Sequence, residues 1–272
     1  MPDTMISARI LLLGGGNMGS ALLGGWLEKG LDPSKVTVVD PAVGPALQPL
    51  IEKGVVHRTT VPEGAFDIVV LAVKPQMMTA AVPPLKAAMR PQTLVVSIAA
   101  GTTVAAIEDL LGPHPVVRAM PNTPALIGRG ITGAYGNERT GEGDRANATR
   151  LLEASGPVEW VEAEALIDAI TAVSGSGPAY VFHLAECMAK AGATLGLPAD
   201  LAMRLARHTV AGAGELMIRS ESEPAQLRKN VTSPNGTTQA ALDVLMGEER
   251  LAKLMEEAMR AARDRAEALA KG

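Results

Sequence analysis

Short apolar runs alternate with helix-like segments in the first half of the chain. Four of these runs lack a polar face, as strands covered on both sides of a parallel sheet do: Ile10–Leu13, Val36–Val39, Ile68–Leu71 and Leu94–Ser97. Helices are predicted at residues 19–29 and, weakened by Pro83-Pro84, at 76–89, with further strands at 116–119 and 131–135. The repeated β-α-β pattern predicts a doubly wound α/β domain of the Rossmann type.

The second half has helical periodicity and few β-branched runs. Ser176-Gly177-Pro178 begins a predicted helix that reaches about residue 195, where Gly196 ends it. Further helices are predicted at residues 198–219, 237–246 and 248–270. We therefore divide the chain into a dinucleotide-binding domain, residues 1–162, and an all-α domain, residues 163–272. The apolar helical half predicts at least a homodimer.

Composition narrows the classes of function. The 272 residues are 47% apolar and 20% charged, and the net charge of −4 gives no reason to expect nucleic acid or a membrane surface as partner. Cys187 is the single cysteine, and no cluster of Cys and His suggests a metal. No apolar run approaches the roughly 18 residues of a membrane span, so we expect a cytoplasmic protein that acts on a small molecule.

A glycine-rich turn connects the first apolar run to the first helix. Gly14-Gly15-Gly16-Asn17-Met18-Gly19 matches G-x-G-x-x-G. Gly14 permits the tight turn, Gly16 lets a pyrophosphate approach the backbone, and Gly19 lets the helix pack close to the strand. The helix N-terminus adds free N–H groups for the phosphates. The alternative is an ordinary βα turn.

Asp40 ends the second apolar run. A carboxylate there can accept hydrogen bonds from the adenosine ribose and repels a 2′-phosphate, which favours NADH over NADPH. No arginine adjoins Asp40 in the sequence to hold a phosphate, although use of NADPH stays possible. The alternative is that Asp40 only starts a turn with Pro41.

A second polar loop precedes a predicted helix in the all-α half. Residues 233–238 combine Ser, Pro, Asn, Gly and two Thr. Backbone N–H groups, hydroxyls and a helix N-terminus in one loop suit a substrate carboxylate without Arg or Lys. The alternative is a simple helix cap.

Six segments in order along the chain carry a resemblance to a known family. They are the glycine turn, Ala72-Val73-Lys74-Pro75-Gln76, Arg118-Ala119-Met120-Pro121-Asn122-Thr123-Pro124, Leu166-Ile167-Asp168-Ala169, Ser174-Gly175-Ser176-Gly177-Pro178-Ala179-Tyr180, and Asn230-Val231-Thr232-Ser233-Pro234-Asn235-Gly236-Thr237-Thr238. In these segments the chain resembles the pyrroline-5-carboxylate reductase family.

The resemblance implies hydride transfer from a reduced nicotinamide to the C=N carbon of 1-pyrroline-5-carboxylate, which gives L-proline in the last step of proline biosynthesis. It also implies an N-terminal dinucleotide domain, a C-terminal dimerisation domain, and dimers that can assemble into rings.

The resemblance also assigns residues. Thr238 is placed at the imine nitrogen, where its hydroxyl can hydrogen-bond or relay a proton, and Glu164 near the substrate, unless it is a surface carboxylate. Binding of the substrate's carboxylate is assigned to Asn230, Ser233, Gly236 and Thr237. The cofactor is assigned to Val73, Lys74, Pro75 and Ala100 beside the ribose, and to Met120 and Asn122 beside the nicotinamide, unless two prolines merely fix a turn there. Asn235 stands where the family usually has Gly, and Asn is the residue after Gly most tolerant of left-handed backbone.

Two other functions remain open at this point. A two-domain reductase of hydroxy acids needs a lysine base in the helical half, for which Lys190 is the candidate, but no matching motif surrounds it. A nicotinamide-binding sensor predicts binding without turnover, and the polar loop argues against it. The four histidines share no spacing that suggests a hydrolase triad or a metal site.

Overall fold

The computed structural model describes residues 7–270, which form two compact units. The first unit extends to Gly175 and also takes in the chain from Ala262, and the second is Ser176–Ala261. The predicted domain boundary, between residues 162 and 163, thus lies 13 residues before the point after Gly175 where the compact units change. The α/β first unit and the helical second unit agree with the predicted fold class.

One sheet of eight strands organises the described part of the first unit, in the order β3-β2-β1-β4-β5-β6-β7-β8. β6 and β7 are antiparallel, and the other pairs are parallel. The strand bounds are β1 Ile10–Leu13, β2 Val36–Val39, β3 Val56–Arg58, β4 Ile68–Leu71, β5 Leu94–Ser97, β6 Val116–Met120, β7 Thr132–Gly136 and β8 Val158–Trp160. The four apolar runs are confirmed as strands. Strand order reverses at β1, which lies between β2 and β4, so the ligand-binding crevice is expected at its carboxyl end.

Successive residues of each central strand enter opposite apolar layers. Ile10 and Leu12 belong to one buried cluster and Leu11 and Leu13 to the other, because side chains alternate across a strand. Helices cover both layers, which is why these strands lack a polar face. The α-helices of this unit are α1 Asn17–Glu28, α2 Gln48–Glu52, α3 Met78–Ala81, α4 Val104–Leu111, α5 Glu142–Leu152 and α6 Leu166–Ile170.

Several short helical turns complete the first unit. The single helix predicted at residues 76–89 is wrong: the segment consists of a 3-10 turn at Pro75–Met77, the short α3, and a 3-10 turn at Pro83–Ala88. Proline lacks the N–H that would continue the α-helix, so the pair at Pro83 and Pro84 starts a new turn. A 3-10 turn at Thr123–Ile127 follows β6, and a π-helical turn at Thr171–Gly175 follows α6. Shorter 3-10 turns lie at Pro33–Lys35 and Glu153–Ser155.

The second unit is helical. Its elements are α7 Gly177–Thr194, α8 Ala199–Arg219, α9 Pro224–Asn230, α10 Thr237–Met246, a 3-10 turn at Gly247–Glu249, and α11 Arg250–Ala270, whose last residues group with the first unit. The four predicted helices are confirmed, and α9 was not predicted. Within residues 176–261 the buried apolar residues are Ala189, Ala202 and Ala206. Among the described residues, no helix is long and apolar enough to cross a membrane.

Candidate active site

The glycine turn has the geometry that a pyrophosphate requires. Gly14 has φ +102°, and a Cβ there would lie 2.7 Å from the carbonyl oxygen of Ala72. A Cβ at Gly19 would overlap the carbonyl oxygen of Gly14, so α1 packs closely on the turn. Gly16 faces open space and offers no side-chain cap to α1, which leaves the N–H groups of the first turn available to an anion. The residues therefore fit a dinucleotide.

A cavity of about 540 Å³ adjoins this turn. Five residues predicted to bind the cofactor line it together: Gly14, Gly16, Asp40, Val73 and Lys74. Its lining also includes Thr59, Thr60 and Val61, which follow β3, and Met77, Ala81 and Pro84. The sequence analysis missed the residues after β3 because it did not predict that strand. The sequence signal available for this part of the cavity was the pair Thr59-Thr60, which follows the β-branched pair Val55-Val56.

Asp40 is fixed as a hydrogen-bond acceptor at the carboxyl end of β2. Its Oδ2 accepts from the backbone N of Gly15 at 2.7 Å, and its Oδ1 accepts from the backbone N of Ala42 at 3.0 Å. The carboxylate thus both ties the glycine turn to β2 and faces the cavity. Each carboxylate oxygen retains acceptor capacity for a ribose hydroxyl.

The strand next to Asp40 carries an arginine that is distant from it in the sequence. β3 pairs with β2, and the backbone N of Asp40 donates to the carbonyl oxygen of Arg58 at 3.0 Å. Arg58 is exposed, and its guanidinium donates to the backbone carbonyl oxygen of its chain neighbour His57 at 2.9 Å. The parallel pairing of β2 and β3 therefore brings the backbone of an arginine against that of Asp40, and chain neighbours alone gave no sign of it.

The other predicted cofactor residues lie close by in the fold but outside this cavity's lining. Asn17, Met18 and Gly19 form the first turn of α1, and Pro75 begins the 3-10 turn after β4. Ala100 lies in the loop after β5. Asn122 follows β6, and its Oδ1 accepts from the backbone N of Ile131 at 3.0 Å, which braces the turn at Thr123–Ile127.

Glu164 takes part in a buried ion network that the sequence analysis did not predict. Its Oε1 accepts from Arg118 NH1 at 3.1 Å and from the backbone N of Val104, the first residue of α4, at 2.8 Å. Arg118, only 2% exposed, also pairs with Asp168 at 2.7 Å through its NH2. Glu164 therefore joins β6 to the N-terminus of α4, and its contact with substrate stays a prediction.

The polar loop of the second unit is open at the N-terminus of α10. Asn230 ends α9, and Gly236 caps α10 without a side chain, so Thr237 and Thr238 present first-turn N–H groups. The backbone N of Gly236 donates to the carbonyl oxygen of Ser233 at 3.0 Å, which closes the loop into a tight turn. Ser233 and Thr237 are exposed, and Thr238 is partly buried. This arrangement suits a carboxylate.

Asn235 has φ +57°, in the left-handed region. The loop was expected to tolerate Asn in place of the family's usual Gly, because Asn is the residue after Gly that best adopts left-handed backbone, and the observed angle agrees with that expectation. The departure from the family pattern therefore leaves the turn intact.

Other candidate groups belong neither to the cavity lining nor to the polar loop. Cys187 is exposed on α7, with its Sγ 3.6 Å from His183 Nε2, and Lys190 is exposed on the same helix. His114 is 9% exposed, and burial lowers its pKa. Within residues 7–270, no group of three or more His, Cys, Asp or Glu residues could hold a metal ion.

The glycine turn, the carboxylate after β2 and the cavity between them define the class: a doubly wound, dinucleotide-binding protein with a helical unit that carries the polar loop before α10. Two family models match the chain, one in its α/β part and one in its helical part. One, described as NADP oxidoreductase coenzyme F420-dependent, covers residues 9–101, and one, described as pyrroline-5-carboxylate reductase dimerisation, covers residues 164–269. The chain belongs to the pyrroline-5-carboxylate reductase family, and it is a nicotinamide-dependent oxidoreductase.

Individual relatives match over nearly the whole chain. A pyrroline-5-carboxylate reductase of Pseudomonas aeruginosa is 43% identical over 269 residues, with 98% of each chain covered. The solved structure of a pyrroline-5-carboxylate reductase from Coxiella burnetii has a TM-score of 0.90 at 36% identity and covers 98% of this chain and 100% of its own. A Plasmodium falciparum pyrroline carboxylate reductase with NADP bound has a TM-score of 0.80 at 25% identity, with 98% and 99% covered.

Proposed function

We propose that the protein reduces the C=N bond of 1-pyrroline-5-carboxylate to give L-proline, the last step of proline biosynthesis. The observation that carries this proposal is the open N-terminus of α10, where Gly236 leaves first-turn N–H groups uncapped beside Ser233, Thr237 and Thr238. A second unit with this loop suits a small cyclic imine with a carboxylate. Full-length similarity to pyrroline-5-carboxylate reductases supports the same reaction.

The residues of the two units divide the work. When bound in the first unit, a reduced nicotinamide cofactor supplies hydride to the imine carbon. The glycine turn and Asp40 would hold its pyrophosphate and adenosine ribose, while Val73, Lys74, Pro75 and Ala100 border the rest. The loop from Asn230 to Thr238 binds the substrate carboxylate. The Thr238 hydroxyl holds the imine nitrogen, and since a protonated imine already attracts hydride, orientation is the chain's main contribution.

We further propose that NADH is the preferred cofactor and that NADPH is also accepted. The Asp40 carboxylate, anchored by two backbone N–H groups, favours ribose hydroxyls and repels a 2′-phosphate. Arg58, on the neighbouring strand, is a cation that can reduce this repulsion. The negative charge of Asp40 and the positive charge of Arg58 have opposite effects on a 2′-phosphate. This supports a preference for NADH rather than exclusion of NADPH.

The assembly and its location are part of the same proposal. We infer a cytoplasmic homodimer formed through the helical unit, with dimers able to assemble further into rings. The apolar helix faces of the second unit and the match to a dimerisation model support the dimer.

The test mixes purified protein with 1-pyrroline-5-carboxylate and follows the absorbance of NADH or NADPH, with proline measured as product. We expect turnover with both cofactors and a higher kcat/KM with NADH. Thr238→Ala is expected to lower kcat by about 10²-fold, the low end of general acid–base effects. Thr194→Ala, which removes a hydroxyl bonded only within α7, is the matched control and should leave kcat unchanged.

Other outcomes overturn the proposal in distinguishable ways. Cofactor binding without turnover of any imine or hydroxy acid would indicate a sensor. Turnover of hydroxy acids that Lys190→Ala abolishes would indicate the hydroxy-acid reductases instead.

A further inference from the structure

The segment from α6 through the π-helical turn lies along one face of β6 and β7. Arg118 and Met120 are two positions apart on β6 and therefore point to the same side of the sheet. Arg118 NH2 bonds Asp168 Oδ1 at 2.7 Å, at the start of the segment. A Cβ on Gly175, at the segment's end, would lie 2.6 Å from Met120 Cε. The segment thus follows β6 toward its carboxyl end.

A third close approach lies between these two. Gly133 on β7 is the register partner of Met120, and a Cβ on Gly133 would lie 2.5 Å from Ile170 Cδ1. The absence of a side chain at Gly133 lets Ile170 pack directly on the strand. The buried ion pair and this contact together fix the segment against the sheet before it reaches Gly175.

The last part of the segment is a π-helical turn, Thr171–Gly175. The side-chain hydroxyls of Thr171 and Ser174 donate to the carbonyl oxygens of Ile167 at 2.8 Å and Ile170 at 3.1 Å. π-Helical turns are rare and often occur at functional sites, because the wider turn displaces the residues that follow it. Here the turn ends with a glycine against a methionine.

Met120 lies at the part of the sheet where a nicotinamide is expected. It is the partly buried last residue of β6, on the carboxyl edge. In a doubly wound sheet a dinucleotide spans this edge across the point where strand order reverses. The cavity that contains Asp40 and the glycine turn takes the adenosine half on the β1–β3 side. The nicotinamide half then extends over β4, β5 and β6, toward Met120.

We propose that Gly175 is a positioning residue that fixes the Met120 side chain at the nicotinamide end of the site, an inference that rests on the proposed function. A side chain at position 175 displaces the Met120 methyl group. Because Cε is the free end of a flexible side chain, it can move without unfolding the strand. Gly175 is therefore required for the placement of Met120 rather than for stability.

The test compares Gly175→Ala, Met120→Ala and the double variant with the unchanged protein. Misplacing a group in an active site by about 1 Å can lower the rate on the order of 10²-fold. Met120 is proposed to contact the cofactor without reacting, so we expect the smaller effect of about a tenfold lower kcat for Gly175→Ala. KM for the imine should change less than about twofold, because the loop of the second unit is untouched. Met120→Ala should lower kcat by a similar factor, and the double variant should be no slower than either single variant, because Gly175 acts only through Met120.

Binding measurements separate positioning from a structural effect. Gly175→Ala should weaken the binding of NADH about threefold. It should leave the binding of ADP-ribose unchanged, because ADP-ribose lacks the nicotinamide. Gly143→Ala is the matched control: Gly143 is also a helical glycine of the first unit, its Cβ would meet no atom within 4 Å, and the variant should match the unchanged protein.

Several results would overturn the inference. These are additive losses in the double variant, an equal loss of ADP-ribose affinity, or unchanged kcat and NADH affinity in Gly175→Ala. If the unchanged protein does not reduce the imine, the proposed function fails. The comparison of NADH with ADP-ribose then still tests the placement of Met120.

Discussion

At the scale of single residues, Asp40 combines a structural role with the selective role proposed for it. Its two oxygens accept from Gly15 and Ala42, so the carboxylate proposed to bind the ribose also anchors the glycine turn. A change at this position should therefore alter both cofactor affinity and cofactor preference. Arg58, on the neighbouring strand β3, is the cation proposed to offset part of this selectivity.

Asp40→Asn keeps the shape of the side chain and removes its charge. A hydrogen bond to a charged group is worth about 1.5–3 kcal/mol, so we expect the KM for NADH to rise about tenfold or more. The KM for NADPH should fall or stay level, because the repulsion of the 2′-phosphate is gone while Arg58 remains. Steady-state kinetics with each cofactor at saturating imine measures the change.

Asp32→Asn is the control for this prediction. Asp32 also accepts a backbone N–H, from Ser34 at 2.9 Å, but it lies outside the cavity lining. Its variant should leave the ratio of the two kcat/KM values unchanged. An equal rise in both KM values for Asp40→Asn would mean that the carboxylate only supports the turn.

At the scale of elements, the loop before α10 depends on one left-handed residue. Asn235 has φ +57°, which β-branched residues tolerate poorly. Asn235→Val should raise the KM for the imine about tenfold, since a strained turn moves the first-turn N–H groups that bind the carboxylate. Asn235→Gly, the matched control, should keep the KM within about twofold.

NADH affinity gives the internal check, because the cofactor cavity belongs to the first unit and should be unaffected by either change. Equal KM values for the Val and Gly variants would contradict a role for the left-handed backbone in substrate binding.

The elements also explain what the sequence could predict. Strands β1, β2, β4 and β5 are buried on both faces, so their composition alone distinguished them. β3 and β8 are three-residue strands at the sheet's two edges, and α5 is too polar to have a clear apolar stripe. These were missed because pairing with the rest of the sheet, rather than local composition, determines them.

The same distinction applies to the candidate site. The glycine turn and the polar loop are local motifs, and their predicted residues lie in one turn and one loop. The backbone hydrogen bond of Asp40 with Arg58, the Arg118 network and the contact of Gly175 with Met120 join residues far apart in the chain. Such contacts arise only when strands and helices assemble, so the sequence contained no local signal for them.

At the scale of the whole molecule, the second unit lacks an apolar core of its own. Among residues 176–261 the buried apolar side chains are three alanines, whereas Phe182 is 64% exposed and Ile218 is 76% exposed. Burial of large apolar side chains contributes roughly 1.5–3 kcal/mol each, so helices that expose so many need a further surface to cover them. A second copy of the chain supplies one, as the match to a dimerisation model supports.

The stability of a chain whose apolar faces a second copy covers depends on protein concentration. We expect the Tm to rise about 2 °C for each tenfold increase in protein concentration, since tenfold corresponds to about 1.4 kcal/mol. Phe182→Asp should shift the sedimentation mass from dimer toward monomer and lower the Tm, because it places a charge on an apolar helix face. Glu221→Lys, in the exposed turn after α8, changes a charge outside these helices and should change neither quantity. A Tm independent of concentration, with Phe182→Asp unchanged in mass, would mean that the helical unit covers its apolar faces within one chain.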